Sequence, residues 1–283
     1  MDGVLLIDKP KGLTSRDVVN DVIKKLHIRK VGHTGTLDPI ATGVLVICVG
    51  RATKLVNYLT SAEKEYIATV ELGTKTDTLD NTGKIIEEQK AVIQKNDIIN
   101  ALNNFKGKYV QEVPIYSAVK VNGKKLYEYA RNNEKVELPK REVEIKNISL
   151  LGDIRYLNNK TIFKFKCVVS KGTYIRALIN DIALKLDTIG IMTDLRRTRQ
   201  GNFYIDNCID INNIESSKLI SIINLLDCKK IQINDSVEKK VLNGNKLKNI
   251  YNANKVMFIK DNKAIALYEG NEELKLSVMF KEE

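Results

Sequence analysis

Gly32-His33-Thr34-Gly35-Thr36-Leu37-Asp38-Pro39-Ile40-Ala41-Thr42-Gly43, followed at once by Val44-Leu45-Val46-Ile47-Cys48-Val49, is the stretch from which this chain is best read. Its first twelve residues hold three glycines, one imidazole and one carboxylate. Glycine permits tight backbone geometry. A residue before proline is pushed out of the α region, so Asp38 sits on extended or turn backbone. The six apolar residues that follow read as a buried strand. A rigid strand therefore holds a turn that presents an acid, the usual way a scaffold displays a reactive group. In isolation an Asp-Pro turn is ordinary turn chemistry, the aspartate bonding its own backbone. The rest of the chain decides between the two readings.

The 283 residues, 43% apolar and 29% charged, suit a globular protein of one large domain, or one large and one small. The net charge of +11 fits a polyanionic partner, nucleic acid first, although a generally lysine-rich composition would also produce it. Residues 105–141 carry nine Lys or Arg against four Glu, while residues 227–283 carry eleven against nine acids, so the excess lies mainly upstream of the tail. No run approaches the roughly 20 apolar residues of a membrane span, and residues 1–9 have no signal-peptide pattern. The four cysteines, at 48, 167, 208 and 228, form no C-x-x-C pair, and there are two histidines. A zinc site is not expected, Cys48 and Cys167 read as core residues, and the expected compartment is reducing cytoplasm.

Along the chain, residues 3–8 read as a strand ending in a Lys9-Pro10-Lys11-Gly12 turn. Thr14 or Ser15 caps a helix with Val18, Val19, Val22, Ile23 and Leu26 on one face. The alternation of Tyr66, Ala68, Val70 and Leu72 predicts a strand over 64–73, and residues 75–83 read as a polar turn. Helices are expected near 52–60, 95–105, 125–132 and 173–186, and strands near 142–151 and 160–170. A helix-like stretch, 217–226, closes the first domain, 1–226. The tail, 227–283, is β-rich in pattern, with a turn at Asn243-Gly244-Asn245.

The segment His33 to Pro39 resembles the catalytic motif of TruB-type tRNA pseudouridine synthases, in which the aspartate of G-T-L-D-P is the indispensable residue. Five further segments match the same family and extend the resemblance over roughly residues 3–205. They are Asp8-Lys9-Pro10-Lys11-Gly12-Leu13-Thr14-Ser15, Gly50-Arg51-Ala52-Thr53-Lys54, Lys64-Glu65-Tyr66, Val113 to Lys120 with its continuation to Arg131, and Ser170-Lys171-Gly172-Thr173-Tyr174-Ile175-Arg176. One departure is Val113, which stands where the family usually has a proline and is expected to loosen a loop. The resemblance implies an α+β fold: a large, mainly antiparallel mixed sheet flanked by helices, with 227–283 as a small PUA-like RNA-binding domain.

It also implies the chemistry, isomerisation of the T-loop uridine at tRNA position 55. The C1′–N1 bond breaks, the base rotates, and C1′ joins C5. One ionised carboxylate, Asp38, attacks C1′ or removes the C2′ proton. Arg176, whose charge is permanent and whose fork matches a carboxylate, is the expected partner that keeps it ionised. Tyr66 is expected to stack on the flipped base, and its phenol can handle a proton. His33 is expected to help hold the RNA with the uridine extruded, without acting as an essential acid or base. Tyr174 either lines the pocket or packs, and Leu195 walls it. Arg196, Arg197 and Arg199 read either as phosphate contacts, with Arg197 chosen as the substrate contact, or as a solvated charge run. Lys9, Lys54 and Lys64 are expected as RNA-backbone or structural contacts. No metal and no organic cofactor are required, because the reaction is an isomerisation.

The expected partner is tRNA, through its T-arm; no membrane and no obligatory protein partner is expected, and the protein is expected to be a monomer. The rival readings are a synthase for another RNA, such as the guided archaeal and eukaryotic complexes, and an RNA-binding or RNA-folding protein whose catalysis is dispensable. A metal-dependent nuclease is a poor third for want of clustered acidic ligands.

Overall fold

The apolar run after Gly43 becomes the Thr42–Val49 strand of a ten-stranded sheet in a computed structural model that describes residues 1–281. Across the sheet the strands run Ile209–Asp210, Gly3–Lys9, Thr42–Val49, Gly190–Gln200, Lys64–Leu72, Lys160–Val169, Lys140–Leu157 and Gly107–Glu112. The short strands Val31–His33 and Phe203–Tyr204 pair onto Thr42–Val49 and Gly190–Gln200. Two pairings along this order are parallel, Thr42–Val49 with Gly190–Gln200 and Gly3–Lys9 with Ile209–Asp210. The others are antiparallel. This is the α+β mixed sheet that the resemblance implied.

The unbroken apolar run has a physical reason. A strand points successive side chains to opposite faces, and a strand covered on both faces cannot alternate with polar residues. Leu5, Ile7, Leu45, Ile47 and Val49 face a core shared with Val18, Val19 and Val22 of the helix Ser15–Leu26 and with Leu178, Ile179 and Ile182 of the helix Ile175–Lys185. Val4, Leu6, Val44, Val46 and Cys48 face the other way, onto Ile222, Leu225, Met257, Ile259, Leu267 and Phe280. The second face is therefore closed by the tail. There a five-stranded sheet runs in the order Lys229–Gln232, Lys255–Lys260, Lys263–Glu269, Glu273–Met279, Leu247–Lys248, and it has its own small core around Val241, Phe258, Tyr268 and Leu274. The helix Asp235–Leu242, which the β-rich pattern concealed, packs on it, and Gly244 turns the chain just after it at φ +67°.

Three local expectations are corrected. Residues 217–226 are not a helix. They hold two single turns, Ser216–Lys218 and Ile222–Asn224, with Leu219 extended between them. Ile220 exchanges both backbone hydrogen bonds with Val4 (2.9 and 2.8 Å), so pairing to the sheet replaces the intrahelical bonds. Val113 does not loosen its loop: it is fully buried and its N–H donates to Pro139 O at 3.0 Å, a bond that proline could not make. Residues 190–200, for which the sequence offered no element and only two readings of Arg196, Arg197 and Arg199, form a central strand that pairs on both sides.

Gly43 stands where the Thr42–Val49 and Gly190–Gln200 strands pair, at φ +104°, and a Cβ there would lie 2.2 Å from Arg197 O. Gly43→Ala is expected to cost more than about 2 kcal/mol of stability, read as a lower urea midpoint, since both the backbone strain and the clash fall on the sheet centre. A second test concerns Asp181 on the helix Ile175–Lys185. Burial pushes its carboxyl up from 3.8 to about 6, against hydrogen bonds from Tyr109 and Asn180 and with a smaller push from Glu112. The native state thus keeps this proton to higher pH than the unfolded chain does. The associated stability is present below about pH 4 and is lost as pH rises through about 6. Denaturation midpoints measured across that window should fall less steeply in Asp181→Asn than in the parent.

Candidate active site

Asp38 opens a turn closed by Ala41 N donating to Asp38 O at 3.0 Å. Leu37, Ile40 and Ala41 are buried on either side of it, so the loop is nailed to the core at both ends. The preceding loop braces it further. Ser15 Oγ accepts from Leu37 N (2.8 Å) and donates to Leu37 O (3.1 Å). Gly12 N donates to Pro39 O at 2.8 Å. Thr14 and Asp17 close a capping box that starts the Ser15–Leu26 helix and holds Ser15 in place. The backbone on both sides of Asp38 is thereby fixed, while its carboxylate stays about one-third exposed.

Arg176 meets that carboxylate with a fork: Nε to Oδ2 at 3.0 Å and Nη2 to Oδ1 at 3.2 Å. Its remaining donors are also engaged. Nη1 donates to Thr78 O at 2.8 Å and lies 3.7 Å from Asp80 Oδ2, and Nη2 donates to Tyr116 O at 3.0 Å. The guanidinium is 6% exposed. Asp80, equally buried, is itself held by Thr78 Oγ1 (2.8 Å) and by Thr82 N (3.0 Å) and Oγ1 (2.5 Å). A buried cation between two carboxylates is oriented from behind, leaving Asp38 as the carboxylate that reaches the cavity.

That cavity, roughly 720 Å³, lies in the size range of small-molecule and nucleotide sites. Asp38, Tyr66, Arg176, His33, Tyr174 and Leu195 all line it. Tyr66 comes from the centre of the sheet, opposite Arg197 on one side and Cys167 on the other, and Arg197 Nη1 lies 3.5 Å from its hydroxyl. Burial, with Arg16 and Arg197 nearby, holds the His33 imidazole below its ordinary range, so the ring is neutral at pH 7. Tyr174 is gripped through its backbone by Gln111, which accepts from Tyr174 N (2.8 Å) and donates to Tyr174 O (3.1 Å). The mouth is basic: Arg16, Lys125 and Lys171 line it, with Tyr127 beside Lys125.

Of the expected cationic contacts, Lys9 and Lys64 take the structural alternative, and Arg197 is corrected from a substrate contact to an internal one. Lys9 is fully buried, and its ammonium is spent on Pro10 O (2.8 Å), Leu13 O (2.7 Å) and Pro39 O (3.4 Å); burial pushes it down to about 8, against the pull of Asp38. Lys64, also buried, donates to Thr60 O and Ala62 O at 2.7 Å and is pushed down to about 8 by burial, then by Arg197 and Lys171. Arg197 is 1% exposed and donates to Val44 O (2.6 Å) and Gly35 O (3.0 Å), which ties the loop to the sheet. Lys54 is exposed and lies outside the cavity lining, on the seam with the tail, where it donates to Met279 O at 2.7 Å. Arg51 donates to Phe280 O on the same seam. Sequence reading missed Asp80 and Gln111. Asp80 sits in a polar turn whose signal is that of any loop, and nothing in the linear pattern marks Gln111 as facing inward.

Residues 24–175 match the family described as TruB family pseudouridylate synthase (N terminal domain). A "tRNA pseudouridine synthase B" of Caldicellulosiruptor saccharolyticus is 46% identical over 247 residues, 87% of this chain and 84% of that one. One of Lactobacillus acidophilus is 44% identical over 280 residues, 95% and 94% of the two chains. Among solved structures, a chain of a Cbf5-Nop10-Gar1 complex superposes with a TM-score of 0.71 at 26% identity, covering 99% of this chain and 85% of that one.

Arg176→Ala would strand Asp38, Asp80 and two carbonyls at once. Urea denaturation should show a loss of about 3–5 kcal/mol, the range for breaking one side of a buried ion pair. Arg176→Lys, which keeps the charge and loses the fork, should recover only part of it.

Proposed function

The chain belongs to the TruB family of pseudouridine synthases, and from that premise we propose how its Asp38 cavity works on tRNA. The protein isomerises uridine to pseudouridine in the T-loop, at position 55. The observation that carries the reading is the Asp38–Arg176 fork: an immobilised, partly exposed carboxylate backed by a buried guanidinium at one end of a nucleotide-sized cavity. Uridine must leave its stack to reach it, and an aromatic platform compensates the lost stacking. Tyr66 supplies that platform from the sheet, and Leu195 and Tyr174 wall the base. His33, which lines the cavity and whose imidazole is held below its ordinary range, holds the RNA with the base extruded.

The carboxylate acts on the sugar, by attack at C1′ or by taking the C2′ proton. Cleavage of C1′–N1 leaves the base as an anion that turns in place. C5 then bonds C1′ as the carboxylate leaves C1′ or returns the proton to C2′, the proton on C5 departs, and N1 ends protonated. No group leaves the nucleotide and no electrons are exchanged with a carrier, so the residues need only orient, exclude water and manage protons, among them the one that leaves C5. The phenol of Tyr66, against the Arg197 guanidinium, stands on the base's side of the cavity for that proton.

Residues 1–226 form the synthase domain and 227–283 the PUA-like RNA-binding domain in this reading. In its support, the second sheet begins at Lys229, and Ile222 and Leu225 pack into the shared seam. The shared apolar seam also favours a rigid pair of domains that bind one T-arm together. The protein works as a monomer without an obligatory protein partner, in the cytoplasm. No described helix is long and apolar enough to cross a membrane.

The deciding experiment follows tritium release from tRNA labelled at uridine C5, where hydrogen is lost only when the new C–C bond forms. One label per tRNA is expected for the parent. Asp38→Asn should bind tRNA and release none. Tyr66→Ala should lose about one to two orders of magnitude in rate, the worth of one base stack. Binding without release by the parent protein would leave an RNA-binding role only.

A further inference from the structure

We propose that the hydroxyl of Ser117 hydrogen-bonds a sugar or phosphate oxygen of the target nucleotide, an inference that rests on the tRNA reading above. Among the described residues, two buried side-chain polar atoms have no hydrogen-bond partner: Ser117 Oγ and Gln200 Oε1. Their surroundings differ. The Gln200 amide lies outside the cavity lining, and its nitrogen already serves Thr34 Oγ1 and Leu59 O. Ser117 is 7% exposed and lines the Asp38 cavity. A buried hydroxyl left without a partner is destabilising, so an apolar side chain of the same size would serve the empty protein better.

The backbone around Ser117 is fully committed. Tyr116 O accepts from Arg176 Nη2 at 3.0 Å, Ser117 N donates to Ile115 O at 2.9 Å, and Ser117 O accepts from Tyr127 N at 3.1 Å. Only the side chain is free, and rotation about its Cα–Cβ bond turns the oxygen into the cavity its own residue lines.

Position narrows the ligand. The Arg176 nitrogen that holds Tyr116 O also holds Asp38 Oδ1, at 3.2 Å. Ser117 therefore follows directly on the residue whose carbonyl is held by the guanidinium that orients the catalytic carboxylate. That carboxylate must face C1′ and C2′ of the sugar, whereas the base is taken by Tyr66 on the sheet. Lys125 and Lys171 line the same cavity and draw in the phosphates. Serine hydroxyls commonly bond phosphate and sugar oxygens of nucleic acids. The shared chemistry is a nucleotide oxygen on the sugar–phosphate side, either the ribose 2′-hydroxyl or the phosphate 5′ to the target.

The test compares Ser117→Ala with its parent, both in an Asp38→Asn background so that nothing turns over. Affinities are measured for three tRNAs: unmodified, 2′-deoxyuridine at the target, and a methylphosphonate 5′ to it. Ser117→Ala should weaken binding of the unmodified tRNA about five- to tenfold, the worth of one hydrogen bond. That penalty should vanish on whichever altered tRNA lacks the bonded oxygen. The melting temperature of the free protein should hold or rise, because the hydroxyl has no protein partner to lose. An unchanged affinity, an equal penalty on all three tRNAs, or a lowered melting temperature would overturn the proposal. Failure of the underlying reading is seen separately, as absence of tritium release by the Asp38-containing protein.

Discussion

One buried guanidinium joins this molecule's distant segments. Arg176 bonds the Asp38 loop, the Thr78–Asp80 turn and the Tyr116 backbone, which lie 138, 98 and 60 residues away along the chain. An arginine taken from water must have its donors met, because every unmet one costs the full desolvation of a charged group. That requirement fixes the three segments relative to one another and builds the cavity between them. The same fork sets the carboxylate's direction, so stability and chemistry depend on one contact. Gln111 performs a similar service at the start of the same helix, where it grips the Tyr174 backbone and so steadies the residue two positions before Arg176.

The central strands impose a second constraint. Both faces of Gly3–Lys9 and Thr42–Val49 are apolar, so both must be covered. The helices cover one face and the tail covers the other. The seam with the tail carries polar ties as well: Arg51 and Lys54 reach the carbonyls of Phe280 and Met279, and Tyr58 donates to Glu269 at 2.9 Å. Three buried cations, Lys9, Lys64 and Arg197, tie loops and turns around the cavity through carbonyl oxygens. Much of the positive charge near the site is thus internal scaffolding, and the charge that meets solvent at the cavity mouth comes from Arg16, Lys125 and Lys171.

The elements of the fold were legible wherever periodicity was strong. The Ser15–Leu26 helix, the Lys64–Leu72 strand and the Ile175–Lys185 helix stand within a residue or two of the expected positions. The misses share a cause. Residues 217–226 have helical spacing, but Ile220 finds better hydrogen bonds on the sheet edge at Val4. The Gly190–Gln200 strand carries three arginines, and linear charge says nothing about whether a guanidinium faces water or a row of carbonyls. Lys9 and Arg197 look like surface residues for the same reason.

What the sequence determined by itself was local and chemical: an acid on a rigid turn, the strand behind it, the helix that carries Arg176, and a set of motifs that resembles one family of enzymes. These follow from backbone preferences and side-chain type, which act over a few residues. Tertiary structure alone decided that Asp80 stands behind Arg176, that Lys9, Lys64 and Arg197 point inward, that Gln111 grips Tyr174, and that the tail closes the second face of the sheet. Each of these is the satisfaction of a buried charge, donor or apolar face by a group tens of residues away or more. The need for a partner is written in the residue, but the partner's identity exists only once the chain has folded.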